Sequence, residues 1–92
     1  MGLVTATDRK LVNFVVYRDR QTLKWSVEEF GADEEEAAFA RMAALENHFG
    51  DQHSIDIVLL GAKSLETIRY THGDLFVGEE CVPPLVPAPN RA

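Results

Sequence analysis

Residues 10–18 alternate two apolar sets, with Val12, Phe14 and Val16 on one side and Leu11, Val15 and Tyr17 on the other. Side chains of a strand repeat every two residues, so both faces of this segment are apolar. The pattern predicts a central strand covered on both sides, or one whose second face meets a partner. The polar stretch from Asp19 to Thr22 lacks the Asn-Gly or Asp-Gly pair of a tight hairpin turn. Residues 23–28 then alternate cleanly, Leu23, Trp25 and Val27 pointing one way and Lys24, Ser26 and Glu28 the other. That is the pattern of a half-buried edge strand. Phe30 falls out of phase, which predicts a bulge or a strand end near Glu29 before Gly31 breaks the pattern.

Asp33 followed by Glu34, Glu35 and Glu36 has the form of a helix opening. An acidic cap accepts orphan N–H groups, acids in the first turn complement the helix dipole, and a glutamate at the third helical position completes a capping box. Ala38, Met42, Leu45 and Phe49 recur at helical spacing with Phe39 beside them, and Gly50 supplies a left-handed stop. Residues 55–60 form a run whose one polar member is Asp56, the mark of a strand buried on both faces and ended by Gly61. Ser64 caps a second helix over residues 65–72, in which Leu65 and Ile68 share a face and Gly73 is the stop. Leu75 and Phe76 are expected to fold back as an apolar plug.

The order strand, strand, helix, strand, helix predicts a two-layer α+β domain over residues 10–78. Its sheet is expected to be three-stranded and mainly antiparallel, with the first strand in the middle and the third antiparallel to it. Residues 79–92 contain four prolines and no periodicity, and are expected to form a flexible tail.

Composition narrows the function. In 92 residues there is room for one core, and a net charge of -6 repels polyanions, so nucleic acid is disfavoured as a partner. Cys81 is the single cysteine, which leaves no intramolecular disulfide and points to a reducing cytoplasm. The longest apolar run is far short of the roughly 20 residues of a membrane span.

The candidate chemistry is thin. Gly61-Ala62-Lys63-Ser64 lies between a strand and a helix, where a phosphate loop would sit, but the glycine directly before Lys63 and the one five residues earlier are replaced by Ala62 and Ile57. A helix N-terminus with Lys63 beside it remains. Arg69 and His72, three apart, fall on nearly one helical face and suit an anion, although Arg69 with Glu66 and His72 with the helix C-terminus give a purely structural account. Lys63, Arg69 and His72 are therefore the candidate ligand-binding set. His48, His53 and His72 lack zinc spacing, the acids at 33–36 point in successive directions, and no Gly-x-Ser-x-Gly elbow accompanies a serine. No catalytic residue, metal or cofactor is assigned. Trp25 belongs with the core face.

Taken together, Tyr17-Arg18, the segment Trp25-Ser26-Val27-Glu28-Glu29-Phe30, the segment Asp56-Ile57-Val58-Leu59-Leu60, Ser64-Leu65-Glu66 and Ile68-Arg69 carry a resemblance. Residues 11–76 resemble a small module attached to some bacterial nucleotidyltransferases of the RelA/SpoT type. The module's closing motif, Ala-Tyr-Pro-Asn-Tyr-Phe, agrees with residues 70–76 only at Phe76. The catalytic domain of that family is far larger and has no counterpart here, so the resemblance implies an accessory or regulatory module and carries over no catalytic residue.

The expected function is thus non-catalytic binding or regulation through a protein partner, including a second copy of the chain, docked on the apolar face of Leu11, Val15 and Tyr17. The alternatives are a small nucleotide- or phosphate-binding protein or enzyme using the second helix, and an acidic mimic of nucleic acid.

Overall fold

The computed structural model describes residues 11–85, so the first residue of the expected first strand and residues 86–92 of the expected tail lie outside the described residues. Strand β1 (Val12–Asp19) pairs antiparallel with both β2 (Lys24–Phe30) and β3 (Ile55–Ala62). A fourth strand, β4 (Glu79–Glu80), adds parallel to β2, giving the order β3-β1-β2-β4. The sheet is therefore four-stranded and mixed, a correction to the three-stranded antiparallel expectation. The first strand is central, as its two apolar faces require.

A side chain sets the hairpin register. Asp19 Oδ1 accepts from Gln21 N–H at 2.9 Å and from Thr22 N–H at 3.3 Å, an Asx turn that does the work of the missing glycine. Leu23 closes the turn with φ 59, and its side chain is half exposed instead of joining Trp25 in the core. From Lys24 the ladder runs unbroken to Phe30, which pairs with Asn13, so of the two outcomes expected near Glu29 the bulge is absent and the strand end is found, at Phe30 on the opposite face from Trp25.

Both faces of the sheet are covered, by helices on opposite sides, which replaces the expected two layers with three. Helix α1 (Glu35–Phe49) packs Ala38 and Leu45 onto Val15, with Phe30, Phe49, Ile57 and Leu59 around them. Helix α2 (Leu65–Thr71) and a 3₁₀ helix (Gly73–Phe76) cover the other face, where Ile68, Leu65, Leu75 and Phe76 meet Phe14, Val16 and Ala62. Val15 is 1% exposed, so the face expected to dock a second copy is already occupied by α1. Burial of that second face also takes in two polar residues expected at the surface. Ser26 is buried, and Glu28 is met by Arg41 of α1.

Local signals at the helix ends fare unevenly. Ser64 caps α2, its Oγ accepting from Thr67 N–H at 3.2 Å. Asp33 does not cap α1: the helix starts at Glu35, and Glu34 folds back so that its Oε1 accepts from Gly31 N–H at 2.6 Å. Phe39 lies off the buried stripe and is 48% exposed. Gly50 is right-handed, with φ -57 and ψ -32, not left-handed. Its need for glycine comes from crowding, since a Cβ there would stand 2.7 Å from the Glu46 carbonyl oxygen. β3 does not stop at Gly61 but pairs through Ala62.

The segment expected to begin a flexible tail docks on the sheet over its described part. Glu79 N–H donates to Leu23 O at 2.8 Å and Cys81 N–H to Trp25 O at 2.7 Å. Gly78 makes this possible at φ 109, because any Cβ there would overlap the Leu23 carbonyl. Further on, Arg41 Nη2 donates to the Pro84 carbonyl at 2.6 Å.

Candidate functional site

The residues that the sequence grouped as a ligand site lie on and beside α2: Lys63 precedes its Ser64 cap, Arg69 is in its last turn and His72 is its C-cap. Lys63 follows Ala62, which pairs with Val12 at one end of β1. Arg69 lies over Trp25, which pairs with Arg18 near the other end. His72 is exposed and acts as a joint: its N–H donates to Ile68 O at 2.8 Å to end α2, and its carbonyl accepts from Leu75 N–H at 3.0 Å.

Arg69 also departs from its expected pairing with Glu66. Its guanidinium carbon stands 5.3 Å from the centroid of the Trp25 ring and 5.5 Å from that of Phe76. The two rings meet edge to face at 4.9 Å, a geometry favoured by their quadrupoles. Trp25 is buried, as its place on the core face requires. Its indole N–H nevertheless has no hydrogen-bond partner, and neither has the buried Nε of Arg18, its cross-strand neighbour. Across β1 from Trp25, Arg18 faces Asp56 of β3. Asp56 is engaged elsewhere, 3.0 Å from Arg20 Nε, while Arg20 Nη2 reaches the His53 carbonyl.

One corner of an acidic chain thus places Arg18 and Arg69 beside its single tryptophan, while Arg20 is held by Asp56. The sequence contained Arg69 as a candidate but not Arg18 or Trp25. Their adjacency exists only through the β1–β2 register, which the Asp19 turn fixes and which composition cannot reveal.

The second feature is the outer edge of β3, which pairs with no strand among the described residues. Arg20 N–H donates to Ser54 O at 2.8 Å. By the alternation of an antiparallel ladder, the backbone groups of Ile57 and Leu59 then point away from β1. Alongside this edge, Glu46, Phe49 and Gly50 of the α1 end join Ile55 and Ile57 around an open depression of about 280 Å³.

Among the described residues no group of three or more His, Cys, Asp or Glu side chains is placed to hold a metal ion, and no helix is long and apolar enough to cross a membrane. No family model matches the chain, and neither does any curated protein or solved structure.

Proposed function

We propose that this chain is a non-catalytic binding module that acts through protein contact by accepting an added strand at the outer edge of β3, a second copy of the chain being its first partner. The observation that carries the reading is the edge itself. β3 is eight residues long, and its sequence Ile-Asp-Ile-Val-Leu-Leu-Gly-Ala is apolar apart from one aspartate, with no proline or lysine inside the strand to blunt an exposed edge. The opposite side of the sheet contrasts with it, since β4 pairs with Lys24 and Trp25 of β2 and the Pro84 carbonyl beyond it accepts from Arg41. Strand addition supplies affinity through main-chain bonds and specificity through alternate side chains, and the depression beside Ile55 and Ile57 offers room for a side chain of an incoming strand. An accessory, regulatory role in a bacterial cytoplasmic protein belongs to the same reading.

The test combines light scattering with amide hydrogen exchange. At about 100 μM, well above the affinity of a micromolar interface, the chain should be dimeric, and the amides of Ile57 and Leu59 should gain protection as concentration rises. A monomer at that concentration with those two amides unprotected sinks the reading.

A further inference from the structure

We propose that two copies of the chain join their β3 edges antiparallel about a two-fold axis at Val58, with Leu11 of each copy set against the depression beside the partner's Ile55. The inference rests on the strand-addition reading and adds to it a register and the side chain that fixes it. An edge paired with itself makes an isologous contact, in which every interaction occurs twice. Because Arg20 N–H donates to Ser54 O, the outward-facing backbone groups of β3 are those of Ile55, Ile57, Leu59 and Gly61. The Ile55 N–H is held by the Gln52 carbonyl at 3.1 Å, which leaves the N–H groups of Ile57, Leu59 and Gly61 as donors to a partner. With the axis at Val58, Ile57 stands opposite the partner's Leu59 and Gly61 opposite the partner's Ile55, so each of these donors meets a carbonyl.

Side chains choose among the registers that this backbone allows. An axis at Asp56 sets two like charges directly opposite each other. An axis at Ile57 sends the Gly61 N–H to the His53 carbonyl, which already accepts from Arg20. One at Leu59 sets Lys63 against Ile55 and leaves Ile57 facing a glycine. At Val58, Ile57 meets Leu59 on the α1 side, and the two Val58 side chains meet on the α2 side. The ends of the edge are also complementary in shape. Glu46, Phe49 and Gly50 of the α1 end stand beside it only near Ile55 and Ile57, around the open depression. At the other end a Cβ on Gly61 would meet Leu11 Cδ1 at 3.6 Å, so Leu11 lies over the glycine on the α1 side, 52% exposed. Antiparallel pairing brings the partner's Ile55 one strand spacing beyond Gly61, about 4.8 Å, and the projecting leucine then faces the depression. Charge agrees with shape, since Lys63 just past β3 comes to the end where the partner's Glu46 lines that depression.

Single cysteines in a Cys81→Ser background test the register. Val58→Cys should form a disulfide-linked dimer on mild oxidation, because directly opposite residues whose groups face away from each other lie about 4.5 Å apart at Cα, within disulfide range. Asp56→Cys and Leu60→Cys should each fail to link to themselves, being four residues or about 13 Å from their own copies along the strand, yet should link to each other when mixed. Leu11→Ala should weaken dimerisation about tenfold in sedimentation equilibrium, the factor for burying the exposed half of a leucine. A dimer in which Val58→Cys does not link to itself, in which Asp56→Cys or Leu60→Cys does, or which Leu11→Ala leaves unchanged overturns this proposal and leaves strand addition standing. A chain monomeric at about 100 μM, with the amides of Ile57 and Leu59 unprotected, ends both.

Discussion

Arg41 on α1 donates from Nε to both carboxylate oxygens of Glu28 on β2, at 3.0 and 2.9 Å, while its Nη2 reaches the carbonyl of Pro84 at 2.6 Å. One side chain therefore ties the long helix, the sheet and the segment after β4 together. Both partners are largely shielded, with 18% and 22% of their side-chain surface exposed. Such a pair falls between an exposed one, worth about 0 to 1 kcal/mol, and a fully buried one, whose breakage costs about 3 to 5 kcal/mol.

Arg41→Met should accordingly lower unfolding stability by about 2 kcal/mol, because it strands Glu28 beneath α1. Adding Glu28→Leu should recover most of that loss, since the pair is then replaced by apolar contact. Urea unfolding of the single and double variants gives the comparison. If Arg41→Met alone changes stability by less than about 0.5 kcal/mol, the ordinary range for surface substitutions, the bridge contributes nothing and the segment around Pro84 is not held through it.

Trp25 carries a different kind of weight. It is enclosed by Phe76 and Arg69 on the α2 side of the sheet, and its carbonyl holds Cys81. Truncating a buried tryptophan to alanine costs about 3 to 5 kcal/mol, a large share of the roughly 5 to 15 kcal/mol of a small domain. Trp25→Ala should be close to unfolded by circular dichroism in urea. Lys63→Ala and His72→Ala, both exposed, should shift stability by less than about 1 kcal/mol. Full stability in Trp25→Ala would mean that the indole lies at the surface.

Signals confined to a few neighbouring residues were legible in the sequence. Ser64 caps α2 because the bond it makes spans three residues, and the two apolar faces of β1 state its central place without reference to any partner. What escaped detection depends on residues far apart in sequence. A period of two says that Ser26 and Glu28 share a face, but whether that face meets solvent depends on where α1 lands. β4 is two glutamates with no strand preference of their own. They pair only because Gly78 lets the chain pass beneath the Leu23 carbonyl. Arg69 shows the same limit: its contact with Trp25 joins α2 to β2, and Trp25 stands opposite Arg18 through a register set by Asp19.

Tyr17 links this packing to pH. Its hydroxyl lies on the α1 side of the sheet, its ring 5.3 Å from that of Phe49. Burial, followed by the charges of Asp19 and Cys81, raises its pKa above the ordinary value of 10.0. In the unfolded chain the tyrosine loses its proton near pH 10, whereas the folded protein still keeps it there. Above that pH the unfolded state binds fewer protons than the native one, so stability falls as pH rises. The contribution is fully present below pH 10, and it disappears as pH climbs through the raised folded value. Tyr17→Phe removes the titrating group and retains the ring. The difference in unfolding stability between wild type and Tyr17→Phe should be constant from pH 7 to about pH 9 and then shift in favour of the variant above about pH 10. A difference that stays level through the alkaline range would mean that Tyr17 titrates alike in both states and that its hydroxyl is not screened from water by α1.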